Sequence, residues 1–361
     1  MMDTESFELK VVAVVEETRD ARSITLQVPA QIAGHFDYRP GQFLTLAIPS
    51  ERTGVVARCY SLCSCPHDDE HLTIAVKRTA DGYASNWIVD RLGVGDTVRV
   101  LPPAGAFTPA DLDDDFLLFA GGSGITPVFS IVRSALSQGR GTVTLFYANR
   151  DEESVIFSRE LAALIERHPG RLRVRHWLES VEGRPDERAL REFAGDHRDA
   201  NAFVCGPAPF MSAVMEVLRG LGFPAHRRHQ EKFISLAGNP FASRHQVEVA
   251  EAELRAADQE EPGDPGEAPR DAVHLTVELD GETHEYPDWK QGQTLLTFLE
   301  SKGLRPPSSC RQGECSACEY TLVTGNVSLL RNEVLDDADL ADGLRLGCQS
   351  IPVSGSVSVR Y

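Results

Sequence analysis

The sequence predicts a multidomain protein that joins an antiparallel β-barrel, a doubly wound α/β domain with a parallel sheet, and a small C-terminal domain. Three observations support this prediction. Short alternating runs lie near the N-terminus, apolar strands alternate with helices in the middle, and cysteines cluster near the C-terminus. We expect the domains to span 1–110, 111–247 and 272–361, with a linker at 248–271.

The N-terminal part predicts the barrel. Its apolar or alternating runs are short, and turn sequences such as Arg39-Pro-Gly separate them. Many short strands without a long helix favour a small antiparallel barrel. The predicted strands are 9–16, 23–28, 43–48, 71–77 and 97–101.

The middle part has a different pattern. Buried-strand runs alternate with helical periodicity, which is typical of a parallel sheet covered on both faces. The predicted strands are 115–120, 142–147, 172–178 and 201–205, and the predicted helices are 127–136, 154–167 and 210–218.

The chain then loses its large apolar residues. Residues 248–271 are rich in Glu, Asp, Ala, Pro and Gly and cannot bury a core, so we expect a flexible linker. The last domain is predicted to begin with a hairpin, 274–279 and 283–286 around Asp280-Gly281, followed by a helix at 294–302.

Four cysteines of this last domain, Cys310, Cys315, Cys318 and Cys348, follow the spacing C-x4-C-x2-C with a distant fourth. This is the spacing of plant-type [2Fe–2S] ligation, in which one tight loop supplies all but one of the thiolates. Gly313 allows that loop to turn. The alternatives are buried structural cysteines or a zinc site, but zinc usually takes two C-x2–4-C or H-x3–5-H pairs. The spacing therefore predicts an iron–sulfur cluster.

Composition argues against several classes of function. Of the 361 residues, 42% are hydrophobic and 25% charged, and no apolar run approaches the ~20 residues of a membrane span. A net charge of −18 argues against nucleic acid and anionic membranes as partners, and could steer a basic protein partner. No signal-peptide pattern and no disulfide framework is evident, so we expect a cytoplasmic protein.

Two motifs of the barrel predict a flavin site. In Arg58-Cys59-Tyr60-Ser61 the arginine can neutralise a pyrophosphate, the tyrosine can cover a flat ring, and the serine can hydrogen-bond flavin N5. Alone, this tetrad is more typical of a core strand than of a flavin site. Two later segments have the spacing expected for the rest of a dinucleotide, and Ser85 precedes a short helix whose amides could face phosphate. Their candidate residues are Ala75, Val76, Lys77, Gly82, Ala84 and Ser85.

A glycine-rich loop predicts a second nucleotide site. Gly121-Gly-Ser-Gly-Ile-Thr-Pro127 follows a buried strand and opens a helix, although Pro127 replaces the third glycine of the usual G-x-G-x-x-G motif. Pro127 suits a first helical position. Cys205-Gly-Pro207 ends a later strand, where the thiol could pack beside a nicotinamide or simply fill the core. The candidate residues are Gly121, Gly122, Gly124, Thr126, Cys205, Gly206 and Pro207.

The end of the second parallel strand, Asn149-Arg150-Asp151, is where the adenosine ribose is normally bound. Arg150 could accept a 2′-phosphate, but Asp151, Glu152 and Glu153 would repel one. This balance of charge favours NADH over NADPH.

The order of these motifs, with the plant-type cysteines after them, resembles the ferredoxin–NADP reductase superfamily in its reductase-plus-ferredoxin arrangement. Arg39-Pro-Gly-Gln-Phe43 and Gly95-Asp-x-Val-x-Val match that superfamily too, so the resemblance covers nearly the whole chain. Within it the chain looks like the reductase components of 3-ketosteroid 9α-hydroxylases, and the reductase component of phenylacetyl-CoA epoxidase is the nearest rival. The segments that carry this closer resemblance are 58–64, 77–87, 147–151, 154–157 and 176–180.

The resemblance implies a C-terminal β-grasp-like ferredoxin domain and a role for each candidate residue. FAD would be held by Arg58, Tyr60, Ser61, Lys77 and Ser85. The nicotinamide site would be lined by Gly122, Gly124, Thr126 and Cys205, with Glu231 and Phe233 on the flavin's other side. The residues placed at the reacting atoms would be Ser61, Thr126, Cys205 and Glu231.

The resemblance also implies a function. FAD would accept an electron pair from NADH, and the [2Fe–2S] cluster would pass electrons singly to a terminal oxygenase of the Rieske type that acts on a steroid. A reductase of another ring-hydroxylating oxygenase is an alternative, and a non-catalytic redox sensor is a remote one. Anaerobic NADH addition separates a reductase from a sensor, because only a reductase bleaches its flavin and then its cluster.

Overall fold

The computed structural model describes residues 6–236, 238–241 and 272–361. The predicted linker at 248–271 lies outside these residues. No helix in the described ranges combines the length and the apolar character needed to cross a bilayer.

The N-terminal unit is a six-stranded antiparallel sheet of order β4-β3-β6-β1-β2-β5. An antiparallel bridge between Leu62 and Ile74 joins its two edges, which makes the sheet a barrel. Apolar side chains such as Leu44 and Leu46 fill its core. The elements are β1 (Phe7–Thr18), β2 (Ala21–Gln27), β3 (Phe43–Ser50), β4 (Gly54–Ser61), β5 (Leu72–Lys77), helix α1 (Tyr83–Arg91) and β6 (Thr97–Val100).

The middle unit is a parallel sheet of order β11-β10-β7-β8-β9. Its strands are β7 (Phe116–Gly121), β8 (Val143–Asn149), β9 (Leu172–Leu178), β10 (Asn201–Cys205) and β11 (Arg228–Glu231). Its helices are α2 (Ile125–Gln138), α3 (Ser158–Arg167), α4 (Glu179–Glu182), α5 (Glu187–Ala194) and α6 (Ala208–Gly220).

Strand β7 shows why this sheet is doubly wound. Its fully buried residues alternate, so that Leu118 packs into the cluster formed with α2 and α3. Leu117 and Phe119 pack into the cluster formed with α5 and α6. Side chains on successive residues of a strand point to opposite faces, so a continuous apolar run requires cover on both. This confirms the predicted parallel sheet.

The C-terminal unit is a mixed five-stranded sheet of order β13-β12-β18-β14-β16, with a two-stranded sheet of β15 and β17 beside it. Its core includes Trp289, Leu295 and Phe298. The elements are β12 (Val273–Leu279), β13 (Glu282–Trp289), α7 (Leu295–Ser301), β14 (Glu319–Thr324), β15 (Val327–Leu329), α8 (Asp337–Ala341), β16 (Leu344–Leu346), β17 (Ser350–Pro352) and β18 (Ser356–Arg360).

Three predicted helix starts were wrong. Helix α1 begins at Tyr83, so Ser85 lies in its first turn and not before it. Helix α2 begins at Ile125, which makes Pro127 its third residue. Helix α3 begins at Ser158 and not at Ser154, because Phe157 adopts a left-handed conformation with φ 59° and interrupts the helical path.

Candidate functional site

The predicted flavin tetrad is the last part of edge strand β4, which pairs with β3 so that Arg58 lies opposite Leu46 and Tyr60 opposite Leu44. Arg58 Nη1 donates to the carbonyl of Leu236 at 3.0 Å. Burial raises the pKa of the Tyr60 phenol. The tetrad therefore presents a cation and a neutral, half-buried ring at the edge of the barrel.

The second flavin segment surrounds the first turn of α1. Ser85 is 8% exposed, and its Oγ accepts a hydrogen bond from the amide of Thr79 at 3.1 Å. A Cβ on Gly82 would lie 2.9 Å from that same Oγ, so this turn requires glycine. Val76 and Ala84 are buried in the barrel core, so only their backbone can face a cofactor.

Two aromatic rings support a fit to a flavin dinucleotide. Tyr83 and Phe233 are the only aromatic side chains among the large hydrophobic residues exposed in the described ranges, at 51% and 49%. Tyr83 is anchored by its hydroxyl, which donates to the Pro49 carbonyl at 2.7 Å. Exposed flat rings are the surfaces that an adenine or isoalloxazine ring system would cover. The residues present thus fit FAD.

The glycine-rich loop packs directly on the end of β10. A Cβ on Gly124 would collide with the Cys205 carbonyl, and one on Gly206 would lie 3.0 Å from Gly121. Thr126 is 2% exposed and donates its hydroxyl to the Ser123 carbonyl at 3.1 Å. Close backbone approach is what lets such a loop present amides to phosphate. The structure therefore brings the predicted loop and the Cys205-Gly-Pro segment together.

The loop forms one wall of a cavity of about 1250 Å³. Asn149 and Arg150, at the end of β8, form another part of its lining. The Asn149 amide is 7% exposed, and neither its oxygen nor its nitrogen has a hydrogen-bond partner in the described residues. A buried amide of this kind needs a partner, so the cavity fits the ribose of a dinucleotide. Lys77, predicted to hold FAD, also lines this cavity.

Glu231 ends β11 directly beside Cys205. Burial, with a smaller contribution from Glu319, raises the pKa of Glu231 to about 8. Burial also raises the pKa of the Cys205 thiol, and Glu231 adds to this effect. Both groups are therefore neutral at pH 7, which suits the apolar, water-poor surroundings that hydride transfer requires.

The raised pKa of Glu231 predicts a pH dependence of stability. Between its ordinary value of 4.5 and about 8, the folded protein holds a proton that the unfolded chain releases. The free energy of unfolding should therefore fall as pH rises through this window, by up to about 1.4 kcal/mol per pH unit. Glu231→Gln has no titratable group at this position. The melting temperature of the variant should therefore fall less than that of the wild type between about pH 5 and pH 8. Equal falls would contradict the raised pKa of Glu231.

The four predicted ligand cysteines lie in two pairs. The Cys310 amide donates to Cys315 Sγ at 3.4 Å, and the Cys348 amide donates to Cys318 Sγ at 3.5 Å. The neighbouring Cys315 thiol, with help from backbone amides and against burial, lowers the pKa of Cys310 to about 7. The partner thiol likewise lowers the pKa of Cys348. Each pair thus holds one thiol prepared to become the thiolate that binds metal.

This arrangement fits a two-iron cluster. In the described residues no group of three or more His, Cys, Asp or Glu side chains is arranged to hold a single metal ion. A tetrahedral zinc site needs four ligands around one point. Two separate pairs, by contrast, can each serve one iron of a [2Fe–2S] cluster.

The cysteine loop packs against the flavin strand. Cys59 contacts the cluster formed by Phe43, Ala104 and Ala317, together with Cys315. On the same face of the sheet, the hydroxyls of Thr45 and Ser309 are 2.9 Å apart and buried. The sequence motif predicts Cys59 to be a flavin residue. The structure shows that its side chain faces the ligand loop.

A polar contact, here named the β11–α8 clasp, holds the C-terminal unit on the parallel sheet. Its members are Arg228, Gln230, Lys232, Asp336, Asp339 and Asp342. Asp339, 6% exposed, accepts from Gln230 Nε2 at 2.8 Å and from Lys232 Nζ at 3.0 Å. Arg228 is paired with Asp342 at 3.2 Å. Nothing in the sequence indicates these contacts beyond the alternate polar residues at 228, 230 and 232.

Comparison with known proteins agrees with this geometry. A family model for an oxidoreductase FAD-binding domain matches residues 8–108, and one for an oxidoreductase NAD-binding domain matches residues 118–216. A model for a 2Fe-2S iron-sulfur cluster binding domain matches residues 277–353. The protein is therefore an oxidoreductase with FAD, NAD and [2Fe–2S] domains.

Similar proteins indicate which kind of oxidoreductase this chain is. The chain is 50% identical over 353 residues to the ferredoxin reductase component of 3-ketosteroid-9-alpha-monooxygenase from Rhodococcus rhodochrous, covering 98% of this chain and 96% of the relative. The corresponding component from Mycobacterium tuberculosis is 49% identical, with 98% and 95% covered. The chain belongs to this family of ferredoxin reductase components.

More distant matches share the architecture. A component of 1,2-phenylacetyl-CoA epoxidase from Escherichia coli is 30% identical, with 98% of this chain and 97% of the relative covered. A solved structure of phthalate dioxygenase reductase, described as modular for electron transfer from pyridine nucleotides to [2Fe–2S], matches with a TM-score of 0.58 and 25% identity. It covers 99% of this chain and 98% of that chain. The predicted fold class is confirmed.

Proposed function

We propose that this protein is the NADH-dependent reductase component that supplies electrons to a Rieske-type oxygenase acting on a 3-ketosteroid, in the cytoplasm. The observation that carries an electron-transfer role is that Cys59 of the flavin strand and Cys315 of the ligand loop pack against the same small apolar cluster. A docked arrangement of this kind leaves little space between the flavin site and the cluster. The steroid substrate is supported by the 50% identity to the Rhodococcus rhodochrous component.

Each site residue has a task in this proposal. FAD, when bound, supplies the step from a two-electron to a one-electron carrier, and the cluster carries single electrons. Arg58 would neutralise the flavin pyrophosphate, Tyr60 would cover the ring, and Ser61 would hydrogen-bond flavin N5. The amides of Gly122 and Gly124 would bind the phosphates of NADH.

The remaining residues exclude water and hold protons. Thr126 and Cys205, 2% and 1% exposed, would lie beneath the nicotinamide and keep water from it. Protonated Glu231 adds no charge there, and the exposed ring of Phe233 would cover the flavin. Four thiolates, from Cys310, Cys315, Cys318 and Cys348, would bind the cluster.

Anaerobic addition of NADH tests the relay. We expect flavin absorbance to bleach first and cluster absorbance second. Reconstitution with a purified 3-ketosteroid 9α-oxygenase should then give NADH-dependent hydroxylation of the steroid. A flavin that bleaches while the cluster stays oxidised would contradict the relay, and turnover only with another oxygenase would contradict the substrate.

The choice of nicotinamide gives a further prediction. Asp151, Glu152 and Glu153 follow β8, where the ribose of the dinucleotide is expected. These carboxylates would repel a 2′-phosphate, so kcat/KM for ferricyanide reduction should be higher with NADH than with NADPH. Steady-state kinetics with both donors measure this, and a preference for NADPH would contradict it.

A further inference from the structure

An ion pair inside the nucleotide cavity joins the barrel to the parallel-sheet unit. Asp20 lies in the turn between β1 and β2, and its Oδ2 is 2.9 Å from Nη2 of Arg150, the residue after β8. Both residues line the cavity. They are 130 positions apart in sequence, so the pair exists only because the two units pack against each other.

The Asp20 carboxylate is held in position for this contact. Thr18 Oγ1 donates to Asp20 Oδ1 at 2.8 Å, and Lys77 Nζ is 3.9 Å from Asp20 Oδ2. Burial opposes ionisation, but Thr18, Lys77 and Arg150 together lower the pKa of Asp20 below its ordinary value. A negative charge that is 22% exposed therefore faces the cavity at neutral pH.

The position of Arg150 connects this pair to the choice of dinucleotide. In a doubly wound sheet the adenosine ribose lies at the C-terminal end of the second strand, where an arginine can bind the 2′-phosphate of NADP. Arg150 is the residue at that place, and its guanidinium already donates to Asp20. A 2′-phosphate would have to break this pair and then lie close to a carboxylate.

We propose that Asp20 is a specificity-determining residue, which disfavours NADPH by engaging Arg150. The inference rests on the proposed use of NADH. It differs from repulsion by Asp151, which accepts a hydrogen bond from Ser154 at 2.6 Å and follows the strand itself. After the larger effect of Ser154, Arg19 and Arg150 both lower the pKa of Asp151. Of these two arginines, it is Arg150 whose guanidinium donates a hydrogen bond to Asp20.

The test is Asp20→Asn, which removes the charge and keeps the size of the side chain. The Asn oxygen can still accept from Arg150, but the loss of the charge weakens this hydrogen bond and removes a carboxylate that would oppose the 2′-phosphate. The ratio of kcat/KM for NADPH over NADH should therefore rise about tenfold. The affinity for 2′,5′-ADP, measured by calorimetry on the FAD-loaded protein, should rise by a similar factor relative to 5′-ADP. This binding measurement does not depend on electron transfer.

Two further variants test whether Asp20 acts on nucleotide choice through Arg150. In Asp20→Asn/Arg150→Gln the gain for 2′,5′-ADP should disappear, because the phosphate has lost its guanidinium. Glu16→Gln is the matched control, since Glu16 pairs with Arg22 at 2.8 Å on the same hairpin, is 76% exposed and does not line the cavity. It should leave both ratios unchanged.

An unchanged ratio in Asp20→Asn, or a gain that survives without Arg150, would overturn the proposal. A wild-type protein that reduces ferricyanide with neither nucleotide would instead refute the proposed function. The 2′,5′-ADP titration would still report on Asp20 in that case.

Discussion

We expect Cys315→Ser to lose its iron–sulfur cluster while retaining NADH-dependent reduction of ferricyanide. Cys315 lies beside Cys310, whose amide donates to Cys315 Sγ at 3.4 Å, so its replacement removes one of the two sulfurs that would hold one iron. A hydroxyl is a harder and poorer ligand for iron than a thiolate. The visible absorbance of the cluster, the iron content and electron delivery to an oxygenase should all fall to near background, while the flavin absorbance remains.

The flavin half of the protein should survive this change. The barrel and the parallel-sheet unit have cores of their own, which contain none of the four ligand cysteines. A suitable control is Cys63→Ser in the barrel, because the Cys63 thiol donates to the Thr73 carbonyl at 3.2 Å and a hydroxyl can do the same. That control should keep both cofactors. A full cluster spectrum in Cys315→Ser would show that the ligand assignment is wrong.

The parts of this site that sequence predicts are those whose chemistry is local. The cysteine spacing and the glycine-rich loop each place several reacting groups within one turn of chain, so the motif itself describes the geometry. Buried strands such as β7 are also recognisable, because cover on both faces requires an uninterrupted apolar run.

Strand β11 shows what the sequence could not predict. Its residues, Arg-His-Gln-Glu, include no apolar side chain, so no hydrophobic pattern marks it as a strand. It forms because β10 offers a parallel partner and because both of its faces are occupied. His229 stacks on Phe203 with ring centroids 4.4 Å apart, while Gln230 faces Asp339. The pair of Asp20 and Arg150 could not be predicted from the sequence either, because it forms only when the two units pack against each other.

Cutting the chain within residues 260–267, at an inserted protease site, should slow the electron path without removing either cofactor. These residues lie outside the described ranges, and their Pro- and acid-rich composition predicts a tether that proteases can reach. The N-terminal fragment should keep FAD, since every proposed flavin and nicotinamide residue precedes the cut. The C-terminal fragment should keep its cluster, because the sheet of β12 to β18 has its own core.

What the cut should damage is transfer between the fragments. An intact tether gives an effective concentration on the order of millimolar, so fragments mixed at micromolar concentration should recover only a small part of the rate at which NADH reduces the cluster. Stopped-flow absorbance on cut and uncut protein measures that rate. Equal rates in both would mean that the docked contacts alone hold the units together.

The β11–α8 clasp predicts how the recovery should depend on salt. Lys232 pairs with Asp336 at 3.1 Å and with Asp339 at 3.0 Å, and salt screens such partly exposed pairs over a Debye length of about 10 Å at 0.1 M. Raising the ionic strength should therefore slow cluster reduction in the mixed fragments. Asp339→Asn should slow it at low salt and flatten the salt dependence, because the amide still accepts from the Asp336 amide but carries no charge. If neither salt nor Asp339→Asn changes the rate of cluster reduction in the mixed fragments, the contacts around Cys59 dock the units without the clasp.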